Sequence, residues 1–374
     1  MKNKFLLLFF MAMMITVISC SDDDDNSPDT EEEYVPVSPV VLDVANVPYP
    51  KLSDYKFFEG ELKNLKPSYK VLPFRPASQL FTDYAQKSRF VWMPSGKRAT
   101  FDGNANSLDF PVGAVLIKNF FYENVAPSGS TRIIETRLLI RKRNATTNDT
   151  GWEPYTYVWN DEQTEAYLDN GNGLFTEVTW TQNGEQRTVN YKIPSVFECR
   201  TCHKLKNENF MDMILPIGPK PQNLNFDYDY DGTTQNQISK WIAEGYLENA
   251  APVNIHSTVD YRDASQPIGM RARSYLDANC AHCHRDKGQC DYMPMRMDFA
   301  NADNATLGHC MVPILGSPVD YIIKPGDASR SDIIYRTNTD DGAIIMPLMG
   351  RSLIHTEGVD LLTQWINGMD PACP

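Results

Sequence analysis

The sequence predicts an α+β, multidomain chain: an N-terminal antiparallel β-sandwich-like domain followed by a mainly α region. Three observations predict it. The length of 374 residues exceeds one typical domain. Between Ser88 and Lys192, short β-branched or aromatic runs are separated by turn clusters, with no helical pattern between them. After Gln266, apolar residues recur at helical spacing.

Lys2 and Lys4 precede an apolar stretch from Phe5 to Ser19. This is the layout of a signal peptide over residues 1–19, shorter than the roughly 20 residues of a membrane-spanning helix. The small and apolar residues before Cys20 resemble the lipobox of bacterial lipoproteins, which implies lipidation of that thiol. Asp22 to Asp25 and Glu31 to Glu33 repel one another, so residues 20–47 read as an extended acidic tether. An acidic run behind a lipidated cysteine also resembles the surface-export signal of Bacteroidota lipoproteins. That resemblance implies an outer-membrane protein, on the periplasmic face or the cell surface, touching the membrane through its lipid alone. The formal net charge is -13, and eight of the acids lie in residues 22–33. Such a balance argues against nucleic acid as a partner, since that reward goes to basic patches.

Residues 48–196 read as the β-rich domain. Strands are expected over 88–92, 114–121, 132–143, 152–159, 175–181 and 187–192, with turns at 144–151 and 169–173. Six or so short strands without alternating helices suggest a sandwich. Trp92, Trp152, Tyr155, Tyr157 and Trp159 are either ordinary strand residues or the lining of a glycan site. No nucleophile–base pair or phosphate loop is evident.

The eight cysteines stand at 20, 199, 202, 280, 283, 290, 310 and 373. Cys199 to His203 and Cys280 to His284 are both C-x-x-C-H. Two thiols at this spacing reach the two vinyl groups of one haem, and the adjacent histidine ligates the iron. Cys199, Cys202, Cys280 and Cys283 are therefore the expected attachment points, with His203 and His284 as proximal ligands. A thioredoxin-like site would want a flanking βαβ pattern, and a four-thiolate zinc site would leave both histidines unexplained. Two covalent haems c are expected, and one at minimum. Of the remaining thiols, Cys290 and Cys310 are the expected disulfide, leaving Cys373 over.

Residues 197–254 form a short CxxCH haem unit. Gln237 to Gly245 echoes Leu361 to Gly368, each placing Trp-Ile after a polar pair. The sixth ligand stays open between Met211, Met213, His256, Met270 and His355, or an open iron. Asp227, Asp229 and Asp231, followed by Gly232, reproduce the opening of an EF-hand loop and suggest calcium. The twelfth position, where a bidentate glutamate belongs, is Ile238.

In residues 255–374, a helix over 266–279 feeds the second motif, and Met346-Pro347 precedes an amphipathic helix from about Thr356. That order resembles a class I c-type cytochrome. The resemblance implies crossing terminal helices and a sixth ligand from Met346, 62 residues past His284.

Most of residues 50–370 resembles an uncharacterised family of exported bacterial proteins bearing CxxCH. The matching stretches are 52–60, 77–96, 108–122, 135–141, 152–166, both motifs and 344–359. Some members are fused to glucose/sorbosone-dehydrogenase-like domains. The resemblance implies electron transfer from an exported dehydrogenase towards other cytochromes, a carrier more than a catalyst. Two rivals stand beside it: a haem enzyme of peroxidase or oxidase type with open iron at the first motif, and a glycan- or partner-binding lipoprotein with an accessory haem unit.

Overall fold

The computed structural model describes residues 36–143 and 150–373. The signal peptide, Cys20 and the acidic run lie outside the described residues. A two-residue strand, β1 (Leu72–Pro73), pairs with β2 (Gln86–Trp92), and β2 pairs along its whole length with β3 (Val115–Val125). β3 continues to β4 (Ser130–Arg143), β4 to β5 (Thr150–Trp159), and β5 to the three-residue β6 (Ala166–Leu168). A hairpin of β7 (Leu174–Gln182) and β8 (Glu185–Ile193) joins the same sheet where Trp180 meets Val125. Asn183 and Gly184 make its turn, both at positive φ, as a two-residue hairpin loop requires.

This is one eight-stranded antiparallel sheet rather than two facing sheets. Alternation along the strands supplies the core on each side. Phe90, Ile117, Leu138 and Tyr157 bury one face against Tyr55 and Phe57. Val91, Leu116 and Trp152 bury the other against Phe74 and Trp241. Irregular segments cover both faces, so the sandwich expectation is corrected. The compact unit starts at Ser38. Residues 38–47, expected as tether, pack onto it because they carry apolar side chains: Val47 is buried, Val41 N–H donates to Tyr55 O at 2.9 Å, and Trp92 Nε1 donates to Ser38 Oγ at 3.0 Å.

Beyond the sheet come α1 (Val196–His203), the small hairpin β9 (Lys204–Lys206) with β10 (Asp212–Ile214), and α2 (Pro221–Leu224). A second hairpin, β11 (Asp227–Tyr230) with β12 (Thr233–Asn236), leads into α3 (Gln237–Ala243). The remaining helices are α4 (Ile268–Asn279), α5 (Asn304–Leu307), α6 (Asp332–Thr337) and α7 (Thr356–Asn367). α4 and α7 pack through Ala272, Tyr275 and Leu276 against Leu361, Leu362, Trp365 and Ile366.

The expected mainly α, cytochrome c-like region is not what the chain builds. The described residues are mostly β, with 27% strand and 19% helix. Most of the chain from Cys280 to His355 is irregular, because runs such as 301–304 and 338–342 are rich in Asn, Asp and Gly and favour turns over helical spacing. No helix of the described residues is long and apolar enough to cross a membrane.

Candidate functional site

The first motif is held by a helix that grows out of the sheet. Pro194 ends β8, and Ser195 caps α1: its Oγ accepts from Glu198 N–H at 3.3 Å, while Glu198 Oε2 accepts from Ser195 N–H at 3.0 Å. This reciprocal capping box is written in the sequence as Ser195-x-x-Glu198, a readable signal for the helix that carries the first motif. Cys199, Cys202 and His203 occupy the last turns of α1. His203 Nδ1 donates to Leu215 O at 2.7 Å. That bond fixes the ring and leaves the Nε2 lone pair as the group available for a metal, the usual arrangement of a ligating histidine. Burial pushes the His203 pKa down to about 4, so the imidazole is neutral at neutral pH.

The second motif follows α4 directly, with Cys280 at the helix C-cap. His284 N–H returns to Cys280 O at 3.0 Å, and Met297 N–H donates to His284 O at 3.0 Å. His284 is buried, its pKa is lowered to about 4 by burial, and its Nδ1 has no partner among the described residues. The neighbouring core is rich in sulfur, from Met293, Met295 and Met297.

The two motifs meet. The Cys283 thiol lies between Cys202 of the first motif and Cys290, within hydrogen-bonding reach of both. The Cys283 contact and His282 lower the Cys202 thiol, the same Cys283 contact lowers Cys290, and Cys283 itself is pushed up. Burial raises Cys199, and raises Cys280 to about 12. The expected Cys290–Cys310 disulfide is corrected: Cys310 is bonded to Cys373, with Cα atoms 5.3 Å apart, because the chain end folds back beside residue 310. Cys290 instead faces Cys283.

A cavity of about 380 Å³ opens at the first motif. Cys199, Cys202 and His203 line one side, His282 and Tyr275 another, and residues 346–352 a third. Met346 therefore shares this cavity with His203, and Met349 stands beside it on the same wall. His284, the iron ligand that Met346 was expected to face, is not among the residues lining it. The wall at 346–352 is fastened by Asp83, whose Oδ1 accepts from Ser352 N–H at 2.7 Å and Leu353 N–H at 2.8 Å. Arg351 Nη2 donates to Met346 O at 2.8 Å and braces the same turn.

His355 also borders the cavity but is occupied. Its Nδ1 meets Tyr275 Oη at 3.0 Å, its Nε2 faces Tyr261 Oη at 3.5 Å, and Phe81 stacks on the ring at 4.1 Å. Met270 and His256 line a second cavity with His309 and Trp365, away from His203. Met211 is exposed on the hairpin of β9 and β10.

Asp227, Asp229 and Asp231, the expected calcium ligands, are placed by a hairpin. They belong to the hairpin of β11 and β12, whose turn is Asp231-Gly232 with both residues at positive φ. Asp229 Oδ1 accepts from Gly232 N–H at 2.7 Å, so one carboxylate is used in closing the turn. The D-x-D-x-D-G spelling was satisfied by hairpin chemistry.

Two features escaped sequence reading. Lys220 Nζ lies 3.1 Å and 3.2 Å from the carboxylate oxygens of Asp277, a buried pair that ties the segment before α2 to α4. Arg89, Lys118 and Arg137 stand side by side on β2, β3 and β4. Lys118 was the available clue, a lone charge inside the apolar run from Ala114 to Phe121. No protein-family model, curated protein or solved structure matches the chain.

Proposed function

We propose that the chain is an exported c-type haem protein working in electron transfer, with one haem held covalently at each CxxCH. The observation that carries the reading is the meeting of the two motifs at Cys202 and Cys283 beside a cavity lined by His203, Cys199 and Met346. The donor set fits the group: two thiols at vinyl spacing, a neutral imidazole oriented through Nδ1, and a thioether on the same cavity. Haem supplies a one-electron couple when bound; the chain supplies attachment, ligation and a low-dielectric surround. Cys199, Cys202 and His203 hold the first haem, and Cys280, Cys283 and His284 the second. Met346 is the thioether ligand that the cavity offers to the first site. The acidic chain suits a basic redox partner, with an association rate that falls as salt rises.

The room beside His203 also favours a second reading, a haem enzyme with an open iron at the first motif. The deciding experiment is covalent haem per polypeptide, by intact mass and pyridine haemochrome, after export in a host with c-type maturation. Two haems, one lost with Cys199→Ser/Cys202→Ser and one with Cys280→Ser/Cys283→Ser, support the dihaem reading. No covalent haem ends it. Cyanide binding by a high-spin haem would turn the first site towards the enzyme reading.

A further inference from the structure

The row formed by Arg89, Lys118 and Arg137 stands out in a protein of net charge -13. Arg89 is paired with Lys118 in the β2–β3 register, and Lys118 with Arg137 in the β3–β4 register. Directly opposite residues point to one face, so three cations lie abreast within about 10 Å, two interstrand spacings. Like charges placed directly opposite are destabilising. All three line the cavity at the first motif. Their charged ends are accessible from inside that cavity while protein surrounds them.

The carboxylates nearby are already engaged. Glu135, fully buried, accepts from Arg137 Nε at 2.8 Å and from Tyr191 Oη at 2.7 Å. Asp83 holds the backbone of Ser352 and Leu353, Asp277 holds Lys220, and Glu198 holds Lys192 and Ser195. Arg89 is left with Gln79 Oε1 at 3.3 Å. Lys118 rests over the Phe120 ring at 4.7 Å and has no hydrogen-bond acceptor among the described residues. Lys87, two residues before Arg89 on β2, is a further repulsive neighbour of Lys118 and is not among the residues lining the cavity. Burial, followed by the neighbouring Arg89 and Arg137, drives Lys118 well below its ordinary pKa. An unpaired cation enclosed by protein is costly, and the single carboxylate of Glu135 cannot neutralise three groups.

We propose that Arg89, Lys118 and Arg137 form a binding site for a small oxyanion carrying at least two negative charges, held as carboxylate or phosphate oxygens. The fork of Arg89, the Nη1 that Arg137 keeps outside its two bonds to Glu135, and the point charge of the lysine suit such oxygens. The occupant comes either as the two propionates of a haem fixed at Cys199 and Cys202 or as a free anion from solution. The site itself does not depend on haem being present.

The test uses inorganic phosphate as probe, in calorimetry on the full exported chain at low ionic strength. The Cys199→Ser/Cys202→Ser protein is expected to bind phosphate. Lys118→Met in that background weakens binding at least tenfold, and Lys118→Arg restores it. The unsubstituted protein identifies the source: phosphate binding equal to that of the double-serine form means a free anion, and loss of binding with haem attached means that propionates occupy the row. Near-UV circular dichroism separates a binding defect from misfolding. Thermal stability gives a second reading, because phosphate raises the melting temperature of any form that binds it and not of its Lys118→Met counterpart. Absence of phosphate binding and of phosphate-dependent stabilisation in folded double-serine protein overturns the proposal, as does unchanged binding in Lys118→Met.

Discussion

Replacing Asp277 by alanine tests how the second motif is positioned. The Asp277 side chain is 2% exposed and that of Lys220 7%. The carboxylate receives both contacts of the Lys220 ammonium, Gln222 Nε2 at 3.1 Å and Phe299 N–H at 3.1 Å. Truncation leaves a buried ammonium without its partner, for which about 3–5 kcal/mol is the usual cost. The amide donors of Gln222 and Phe299 lose their acceptor as well, at about 1–3 kcal/mol each if they stay dry, although such terms do not add in full. A loss of about 4 kcal/mol is a large part of the roughly 5–15 kcal/mol that holds a protein folded. Urea titration followed by far-UV circular dichroism measures it. Lys220→Met/Asp277→Leu, which removes both charges and keeps volume, should recover most of the loss. If Asp277→Ala costs under 1 kcal/mol, or the double replacement is worse than the single, the buried-pair reasoning is refuted.

Four further outcomes are expected. Cys373→Ser opens a link spanning 63 residues, for which loop entropy predicts a loss of about 4 kcal/mol, read as a lower melting temperature that matches the reduced parent. A Cβ at Gly358 would lie 2.3 Å from Tyr275 Oη and 2.7 Å from His355 Nδ1; Gly358→Ala should therefore destabilise by about 1–3 kcal/mol and prise α7 from α4. Burial lowers His355 to about 4 from an ordinary 6.5, so its neutral form stabilises the fold fully above pH 6.5 and that contribution is lost as pH falls towards 4. The slope should approach roughly 1.4 kcal/mol per pH unit for this one group and flatten in His355→Asn, by denaturant titrations across the window. Ser195→Ala removes the cap of α1 and should cost about 1 kcal/mol, by thermal unfolding.

The strands were legible because β-branched and aromatic residues cluster in short runs between turn residues. The expected run 187–192 lies inside β8, and 132–143 lies inside β4. What covers the sheet was not legible. Residues 38–71 and 215–260 have no repeating pattern, and only burial of side chains such as Val47, Leu224 and Trp241 decides where they lie. The helix of the second motif was readable from Ala272, Tyr275 and Leu276. A mainly α region did not follow, since one good helix at each end says little about the seventy-odd residues between. At Asp227 to Asp231 turn chemistry and metal-loop chemistry share the same letters, and the spelling alone does not foretell the hairpin. Partners far apart in sequence, such as Lys220 with Asp277 or Cys310 with Cys373, leave no periodic trace.

The clasp made by Asp83 has a bearing on the order of folding. Its bonds to Ser352 and Leu353 span 269 and 270 residues, whereas β3 and β4 pair across the short turn at 126–129. Closing so long a loop carries a large entropic cost before any contact rewards it, so local pairings lead. The segment 346–355 is thus expected to settle last, and pulsed hydrogen exchange should find Ser352 and Leu353 protected after Leu116 and Leu138. On this order the wall at 346–352 arrives after the sheet has formed, and the cavity beside Cys199 and Cys202 lacks that side until then. Under the proposed function, that interval is the one in which a large planar group could reach the first motif, before the last wall shuts.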